Sequence, residues 1–133
     1  MRARLWPECD ASGLARDVHA FFAGGRVPAL DAAFVARDED ERPVGFLELS
    51  IRPFSDGCDS IPVPHVEGWY VEERARKQGV GRALLHAAEE WAHERGFTEL
   101  ASDTELSNHA SQSAHLACGF GEVDRLVKFR KKL

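Results

Sequence analysis

Residues 76–85 read RKQGVGRALL and join a basic, glycine-containing turn to the start of an apolar helical pattern. From Val80 the apolar residues recur at helical spacing, and Gly96 stands where such a helix would end. This pattern predicts a long helix that begins directly after the turn and ends at Gly96. The surrounding sequence determines what such a turn could bind.

The turn has the chemistry of an anion site. The first backbone N–H groups of a helix lack partners within it, and they lie at the positive end of the helix dipole. Gly79 and Gly81 have no Cβ, so a ligand can approach that backbone closely, and basic side chains flank the two glycines. We therefore expect a phosphorylated cofactor at this turn. A solvated basic turn at the start of a surface helix would give the same short motif.

The rest of the chain predicts alternating helices and strands. Caps at Asp10 and Ser12 precede a helical pattern that ends before Gly24, and Gly68 lies inside a strand, where it indicates a bulge. The further segments are strands over 30–37 and 44–52 joined as a hairpin, strands over 65–71 and 98–103, a helix over 108–118 and a closing strand over 122–130. Together they predict an α/β (α+β) fold with a mixed sheet flanked by helices.

Composition limits the possible classes of protein. The 133 residues are 44% hydrophobic, enough for a single domain spanning 1–133. The net charge of −5 and the lack of a basic arm argue against nucleic acid and favour a cationic small substrate. No segment approaches the roughly 18 apolar residues of a membrane helix, so we expect a cytoplasmic protein. Three widely spaced cysteines indicate reduced thiols, and no cluster has metal-ligand spacing.

The turn also matches a known loop. Arg82 follows Gly81 where a Walker loop needs Lys, and Leu84 stands where a dinucleotide fingerprint needs a third glycine. Instead, the pattern Arg/Gln-x-x-Gly-x-Gly resembles the pyrophosphate loop of the GNAT superfamily of acetyl-CoA-dependent N-acetyltransferases. Asn108 and the later Gly119-Phe120 resemble the superfamily's second cofactor segment, which flanks the pantetheine arm.

Four longer blocks resemble the aminoglycoside 6′-N-acetyltransferases: SIRPFSDGCDSIPV at 50–63, VEGWYV at 66–71, ELASDTE at 99–105 and HLACGFGEVDRLVKF at 115–129. The resemblance implies a GNAT fold with a bulged strand, acetyl-CoA as cofactor, an aminoglycoside as substrate, antibiotic resistance as the outcome, and a homodimer. In the family, a strand and most of a helix precede the match to Leu5-Trp6-Pro7. Only four residues precede it here, so we expect the first N-terminal strand of the sheet to be missing.

The resemblance also implies roles for individual residues. Cofactor-binding positions are Trp69, Tyr70, Val71, Arg76, Lys77, Gln78, Gly79, Val80, Gly81, Arg82 and Asn108. Catalytic positions are Glu67, favoured as the base, Asp103, which would anchor the substrate, and His115, which could protonate the leaving thiolate. Substrate-binding positions are Trp6, Asp59, Glu67, Asp103 and Asp124, whose side chain is shorter than the family's usual glutamate.

Some of these residues could instead have a purely structural role. Glu67 could be a solvated cross-strand charge and Asp103 a helix cap. His115 could be a half-buried helix histidine, and Trp6 a core or interface tryptophan. The same fold could also acetylate a polyamine or a protein amine, or the chain could be a non-catalytic acyl-CoA-binding remnant.

Overall fold

The computed structural model describes residues 1–28 and 30–133. The elements follow in this order: α1 (Arg2–Leu5), α2 (Ala11–Phe22), β1 (Ala32–Arg37), β2 (Pro43–Arg52), β3 (Val63–Val71), a 3₁₀ turn (Glu73–Ala75), α3 (Val80–Glu94), β4 (Ala101–Ser102) and α4 (His109–Ala117). The predicted helices and the hairpin are confirmed. α2 begins where Asp10 accepts hydrogen bonds from the backbone N–H groups of Ser12 and Gly13.

The strands form one mixed sheet in the order β1-β2-β3-β4. β1 and β2 are antiparallel, as are β2 and β3, whereas β3 and β4 are parallel. β3 pairs with β2 along its length, but it pairs with β4 only through His65 and Val66. The sheet therefore opens on the β4 side of β3 beyond Val66.

The predicted bulge lies at Glu67, next to Gly68. Val66 is opposite Leu49 and Gly68 is opposite Glu48, so Glu67 is an extra residue in β3. Two residues then oppose one position of β2, which is the arrangement of a β-bulge. As a result, Glu67 and Gly68 both belong to the face of the sheet that carries Glu48.

The two faces of the sheet are covered differently. On one face, Leu84, Leu85 and Ala88 of α3 pack against a buried cluster that includes Leu47 and Leu49. On the other face, the indole of Trp6 lies 6.1 Å from the Phe46 ring and directly over Gly68. Arg2 of α1 pairs with the buried Glu48 at 2.9 Å on that same face. The N-terminal residues thus cover the bulged region of β3.

Two strand predictions need correction. The predicted strand over 98–103 is reduced to the two residues of β4, and the predicted closing strand over 122–130 is wrong. Those residues are exposed and form no strand in the part of the chain that the structure describes. A strand needs a partner for its backbone N–H and C=O groups, and β4 is too short to provide a continuous edge.

The close packing at Gly68 can be tested with Gly68→Ala. A Cβ at this position would lie 2.7 Å from Cη2 and 2.8 Å from Cζ2 of Trp6, so the indole would have to move. We expect a loss of about 1–3 kcal/mol in the free energy of unfolding, measured with urea. Gly121→Ala is the matched control because a Cβ there meets nothing within 4 Å. Equal stability of the two variants would contradict this packing.

Candidate active site

A polar cluster lies where β2, β3 and β4 meet. Ser50 and Arg52 alternate along β2, and His65 is directly opposite Ser50 on β3. The bulge adds Glu67 to the same group, because its carboxylate accepts hydrogen bonds from the Ser50 hydroxyl and the Arg52 guanidinium. Asp103 follows β4 and completes the cluster from the neighbouring strand.

Glu67 is held as a carboxylate. Arg52 donates from Nε and Nη2 to its two oxygens, both at 2.8 Å, and Ser50 Oγ donates to Oε1 at 2.5 Å. Burial raises the pKa of Glu67, but the hydrogen bonds from Arg52 and Ser50 and the guanidinium charge outweigh burial and lower it. Glu67 is therefore ionised at neutral pH.

Arg52 and His65 connect Asp103 to Glu67. Asp103 Oδ2 lies 3.7 Å from Arg52 Nη1 and 3.4 Å from His65 Nε2, while His65 Nδ1 lies 3.7 Å from Glu67 Oε1. The Asp103 side chain is 65% exposed, whereas that of His65 is 2% exposed. The structure thus brings together the two carboxylates that the sequence singled out, one half-buried and one open to solvent.

The edge of β3 beyond Val66 faces the opening left by β4. The backbone N–H of Glu72 donates to Val44 in β2, so the alternation of an antiparallel ladder turns the backbone groups of Trp69 and Val71 toward that opening. The Val71 carbonyl there accepts a hydrogen bond from Arg76 Nε at 3.0 Å. The Tyr70 hydroxyl instead donates to Glu72 at 3.3 Å.

The glycine turn begins α3 without a side-chain cap. Gly79 occupies the N-cap position with φ +83°, and the first helical bond runs from the N–H of Ala83 to the Gly79 carbonyl at 2.9 Å. The N–H groups of Val80, Gly81 and Arg82 precede that bond, so they have no partner within the helix. These three N–H groups lie at the turn for which the sequence predicts an anion site, and that role stays a prediction.

Trp69 forms the floor of this turn. A Cβ on Gly81 would lie 3.2 Å from its Cζ2, and the indole Nε1 is buried without a hydrogen-bond partner. Three side chains around the turn hold the backbone. Arg76 bonds Val71, Gln78 Nε2 donates to the Arg74 carbonyl at 2.9 Å, and Arg82 Nη2 donates to the Ala117 carbonyl at 2.8 Å. Lys77 has φ +60° and is exposed.

His115 is well satisfied by neighbouring groups. Its Nδ1 lies 2.8 Å from the Ser111 carbonyl, which can only accept, so Nδ1 carries the proton and Nε2 accepts from the Ser102 hydroxyl at 2.8 Å. The ring also packs edge-on against Trp69 and Phe120. These contacts match the structural reading of His115. Asn108 likewise caps α4 by accepting from the N–H of Ser111 at 3.1 Å.

The remaining predicted substrate residues lie outside the cluster. Trp6 packs on Phe46 and Gly68, as the structural reading had it. Asp59 belongs to a loop fastened by Glu99, whose carboxylate accepts from the N–H groups of Asp59 and Ser60. Asp124 lies on the exposed C-terminal segment. Among the described residues, the ion pairs that connect Glu67 with Asp103 include neither Asp59 nor Asp124.

A groove of about 430 Å³ opens beside the cluster. Ser50, Arg52 and Glu67 line it on one side, and residues around Arg26 and Asp31 line it on the other. A larger hollow of about 620 Å³ lies elsewhere, between Arg4 and Arg74, where charged side chains pair with one another. The smaller groove is therefore the one that reaches Glu67.

Comparison with known proteins agrees with this geometry. A model described as the Acetyltransferase (GNAT) family matches residues 1–120. The chain belongs to the GNAT acetyltransferase family. Within the described residues, no helix of this GNAT protein is long and apolar enough to cross a membrane.

This GNAT protein is similar to several aminoglycoside 6′-N-acetyltransferases. The aminoglycoside N(6′)-acetyltransferase type 1 of Klebsiella aerogenes is 50% identical over 133 residues, covering 100% of this chain and 87% of the relative. The structure of AAC(6′)-Iy with the bisubstrate analog CoA-S-monomethyl-acetylneamine superimposes with a TM-score of 0.87, at 34% identity, covering 100% of this chain and 88% of that one. The structure of AAC(6′)-Ih from Acinetobacter baumannii superimposes with a TM-score of 0.85 at 30% identity, covering 99% of this chain and 87% of that one.

Sequence reasoning missed Arg52, Ser50 and His65 as members of the site. Their signal was present, because positions 48, 50 and 52 of one predicted strand and 65 and 67 of the next are polar and alternate with mostly apolar residues. Pairing them required the register between the two strands, and a loop of ten residues connects β2 and β3 without fixing it.

Arg52→Gln tests the ion pair with Glu67. Because the pKa of Glu67 is lowered on folding, the pair stabilises the chain above pH 4.5, the ordinary value for glutamate, and this contribution is lost as the pH falls through the folded-state pKa. Allowing for the partial exposure of Arg52, we expect Arg52→Gln to lower the free energy of unfolding, measured with urea near neutral pH, by about 1–2 kcal/mol. The difference from wild type should become smaller below pH 4.5.

Arg42→Gln is the matched control for this prediction. Arg42 is exposed and pairs with the exposed Asp40 at 3.3 Å, so its replacement should cost less than about 0.5 kcal/mol. A loss that is equal for the two variants, or that does not change with pH, would contradict the assignment.

Proposed function

We propose that this chain transfers the acetyl group of acetyl-CoA to the 6′-amino group of aminoglycoside antibiotics and so confers resistance. The observation that carries the proposal is the placement of β3: its backbone edge faces the opening next to the bare helix N-terminus, and its bulge presents Glu67 beside Asp103. The name of the Klebsiella aerogenes relative and the bisubstrate analog bound to AAC(6′)-Iy support the acceptor and the cofactor.

The glycine turn suits the diphosphate of acetyl-CoA. Its three free N–H groups provide donors, and Arg76 and Lys77 supply positive charge beside them. The backbone groups of Trp69 and the N–H of Val71 suit the amides of the pantetheine arm, since this edge of β3 has no strand partner. The cofactor supplies an acetyl group activated as a thioester, and the remaining cofactor-binding positions (Tyr70, Gln78, Val80, Arg82 and Asn108) shape and support this channel.

Glu67 and Asp103 hold the acceptor amine. Aminoglycosides are polycations, so two neighbouring carboxylates, one of them in the groove, attract and orient an ammonium group. We assign removal of the amine proton to Glu67, directly or through water, and anchoring of the substrate to Asp103. The lowered pKa of Glu67 keeps it ionised but makes it a weak base, so positioning contributes most of the rate enhancement.

The proton for the leaving thiolate need not come from His115. Its Nε2 accepts from Ser102, and its protonated Nδ1 is bound to the Ser111 carbonyl. The thiol of coenzyme A is acidic enough to leave as the thiolate and to take its proton from water. We therefore assign His115 to the support of Trp69, against which it packs.

The assembly and location of the chain are also inferred. We propose that residues 1–133 form one acetyltransferase domain, consistent with the family match over 1–120. We propose a homodimer, for which the exposed apolar side chains of Val123, Val127 and Phe129 provide a contact surface that light scattering can check. Free cysteines suit the reducing cytoplasm, where we place the protein.

Thiol release tests the reaction and its regiochemistry together. With acetyl-CoA, kanamycin, which carries a 6′-amine, should give rapid thiol release, whereas an aminoglycoside with a 6′-hydroxyl should give only the background rate. Spermidine and a lysine peptide serve as further acceptors. Equal rates on the two aminoglycosides would refute the regiochemistry, and a higher kcat/KM for spermidine or the peptide would transfer the proposal to that amine.

Gly79→Asp tests the anion-binding turn. Asn and Asp both tolerate the left-handed conformation of Gly79, but only Asp adds a negative charge at the start of α3. Relative to Gly79→Asn, we expect the KM for acetyl-CoA to rise roughly tenfold, with the KM for kanamycin little changed. Identical KM values for acetyl-CoA in the two variants would place the diphosphate elsewhere.

A further inference from the structure

His65 is the most buried polar side chain near the two carboxylates, and no step assigned above uses it. Its backbone pairs with Ser50 of β2 and with Ala101 of β4, so it lies at one of the two positions where β3 is joined to both neighbouring strands. Its side chain is 2% exposed, and Nδ1 is buried without a hydrogen-bond partner. A buried nitrogen without a hydrogen-bond partner lowers the stability of the fold, so the position of His65 beside Glu67 calls for a functional explanation.

The geometry assigns the ring a tautomer. Nε2 lies 3.4 Å from Asp103 Oδ2, closer than Nδ1 lies to Glu67 Oε1, so we place the single proton of the neutral ring on Nε2, facing the nearer carboxylate. The Nδ1 lone pair then faces Glu67 Oε1 at 3.7 Å, where two acceptors oppose each other. A second proton on Nδ1 would give a ring that pairs with both carboxylates at once.

We propose that neutral His65 is a positioning residue that holds Asp103 toward the acceptor amine, and that the protonated ring competes with the cationic acceptor for Glu67 and Asp103. The inference rests on the proposed function, since it concerns the amine site of the same reaction. Asp103 is 65% exposed, and its other partner is Arg52 at 3.7 Å, so His65 is its closest fixed neighbour in the cluster.

The charged and polar groups facing His65 come from each strand around it. Arg52 and the Ser50 hydroxyl face it from β2, Glu67 from β3, and Asp103 from the end of β4. Burial lowers the pKa of His65, and Arg52 lowers it further, against the opposing effects of Glu67 and Asp103. The ring is therefore neutral near pH 7 and becomes charged below its ordinary value of 6.5.

The test uses two replacements that cannot titrate. His65→Phe keeps the buried ring but loses the N–H, whereas His65→Gln keeps a donor at the reach of Nε2. The measurement is the Kd of kanamycin by calorimetry in the presence of coenzyme A, at about pH 7.5 and about pH 4.5, the lower pH being well below 6.5 because folding lowers the pKa of His65. Protonation of kanamycin itself is common to all three proteins and cancels in the ratio of each variant's Kd to that of wild type.

We expect His65→Phe to bind kanamycin about fivefold more weakly than wild type at the higher pH, as for one lost hydrogen bond to a charged group. His65→Gln should restore most of this loss. At the lower pH both ratios should fall at least threefold, because only the wild-type ring becomes a competing cation. The Kd of coenzyme A alone should be unchanged throughout.

Two results would overturn the proposal: variant-to-wild-type ratios that do not change with pH, or a His65→Gln variant as weak as His65→Phe. Neither result bears on the proposed function, which thiol release with kanamycin tests separately. A wild-type protein that binds kanamycin with this pH pattern but releases no thiol would retain the inference and refute the acetyl transfer. Absence of kanamycin binding to wild type at both pH values would refute both.

Discussion

The bulge at Glu67 is the constraint on which the site depends. Without the extra residue, strict alternation would turn Glu67 and Trp69 to the same face and send Gly68 to the other. With it, Glu67 reaches Arg52 and Ser50 on one face while Trp69 packs beneath the glycine turn on the other. One inserted residue therefore lets a single strand serve two sites on opposite sides of the sheet.

The parting of β3 from β4 completes this arrangement. A parallel pair that ends after two residues leaves backbone groups of β3 without strand partners, and such groups need another hydrogen-bonding partner or water. The glycine turn, with its unpaired N–H groups, lies at one end of this edge and the carboxylate pair at the other. Opposite charges at the two ends suit an anionic cofactor and a cationic acceptor, and they discourage either from entering at the wrong end.

Local sequence signals predicted most of the fold. The Asp10 cap, the acidic hairpin turn and the glycine before α3 each act within a few residues of the element that they define, so the sequence alone contains their cause. The strand over 122–130 failed because alternating apolar residues indicate a strand only where a partner edge exists. The length of that edge depends on β4, which is distant in the chain.

The site was only partly predictable for a related reason. Glu67 and Asp103 were identified from a family resemblance, and the glycine turn from its own chemistry. Arg52 and His65 enter through the register between strands, which the bulge shifts by one residue. For Trp6 and His115 the resemblance implied binding and catalysis and the sequence left a structural alternative open, and the contacts of both residues are those of packed side chains.

The hydrogen bonds of Glu67 and the ion pairs of Asp103 define which carboxylate positions an acceptor amine can use. A carboxylate has about four acceptor positions. In Glu67, Oε1 takes Ser50 and Arg52 Nε, and Oε2 takes Arg52 Nη2, which leaves one position on Oε2. In Asp103, Oδ2 faces Arg52 and His65, which leaves Oδ1 toward solvent. A neutral primary amine has two N–H donors, so if it donates one to Oε2 of Glu67 and the other to Oδ1 of Asp103, its lone pair is left free for the acetyl carbon.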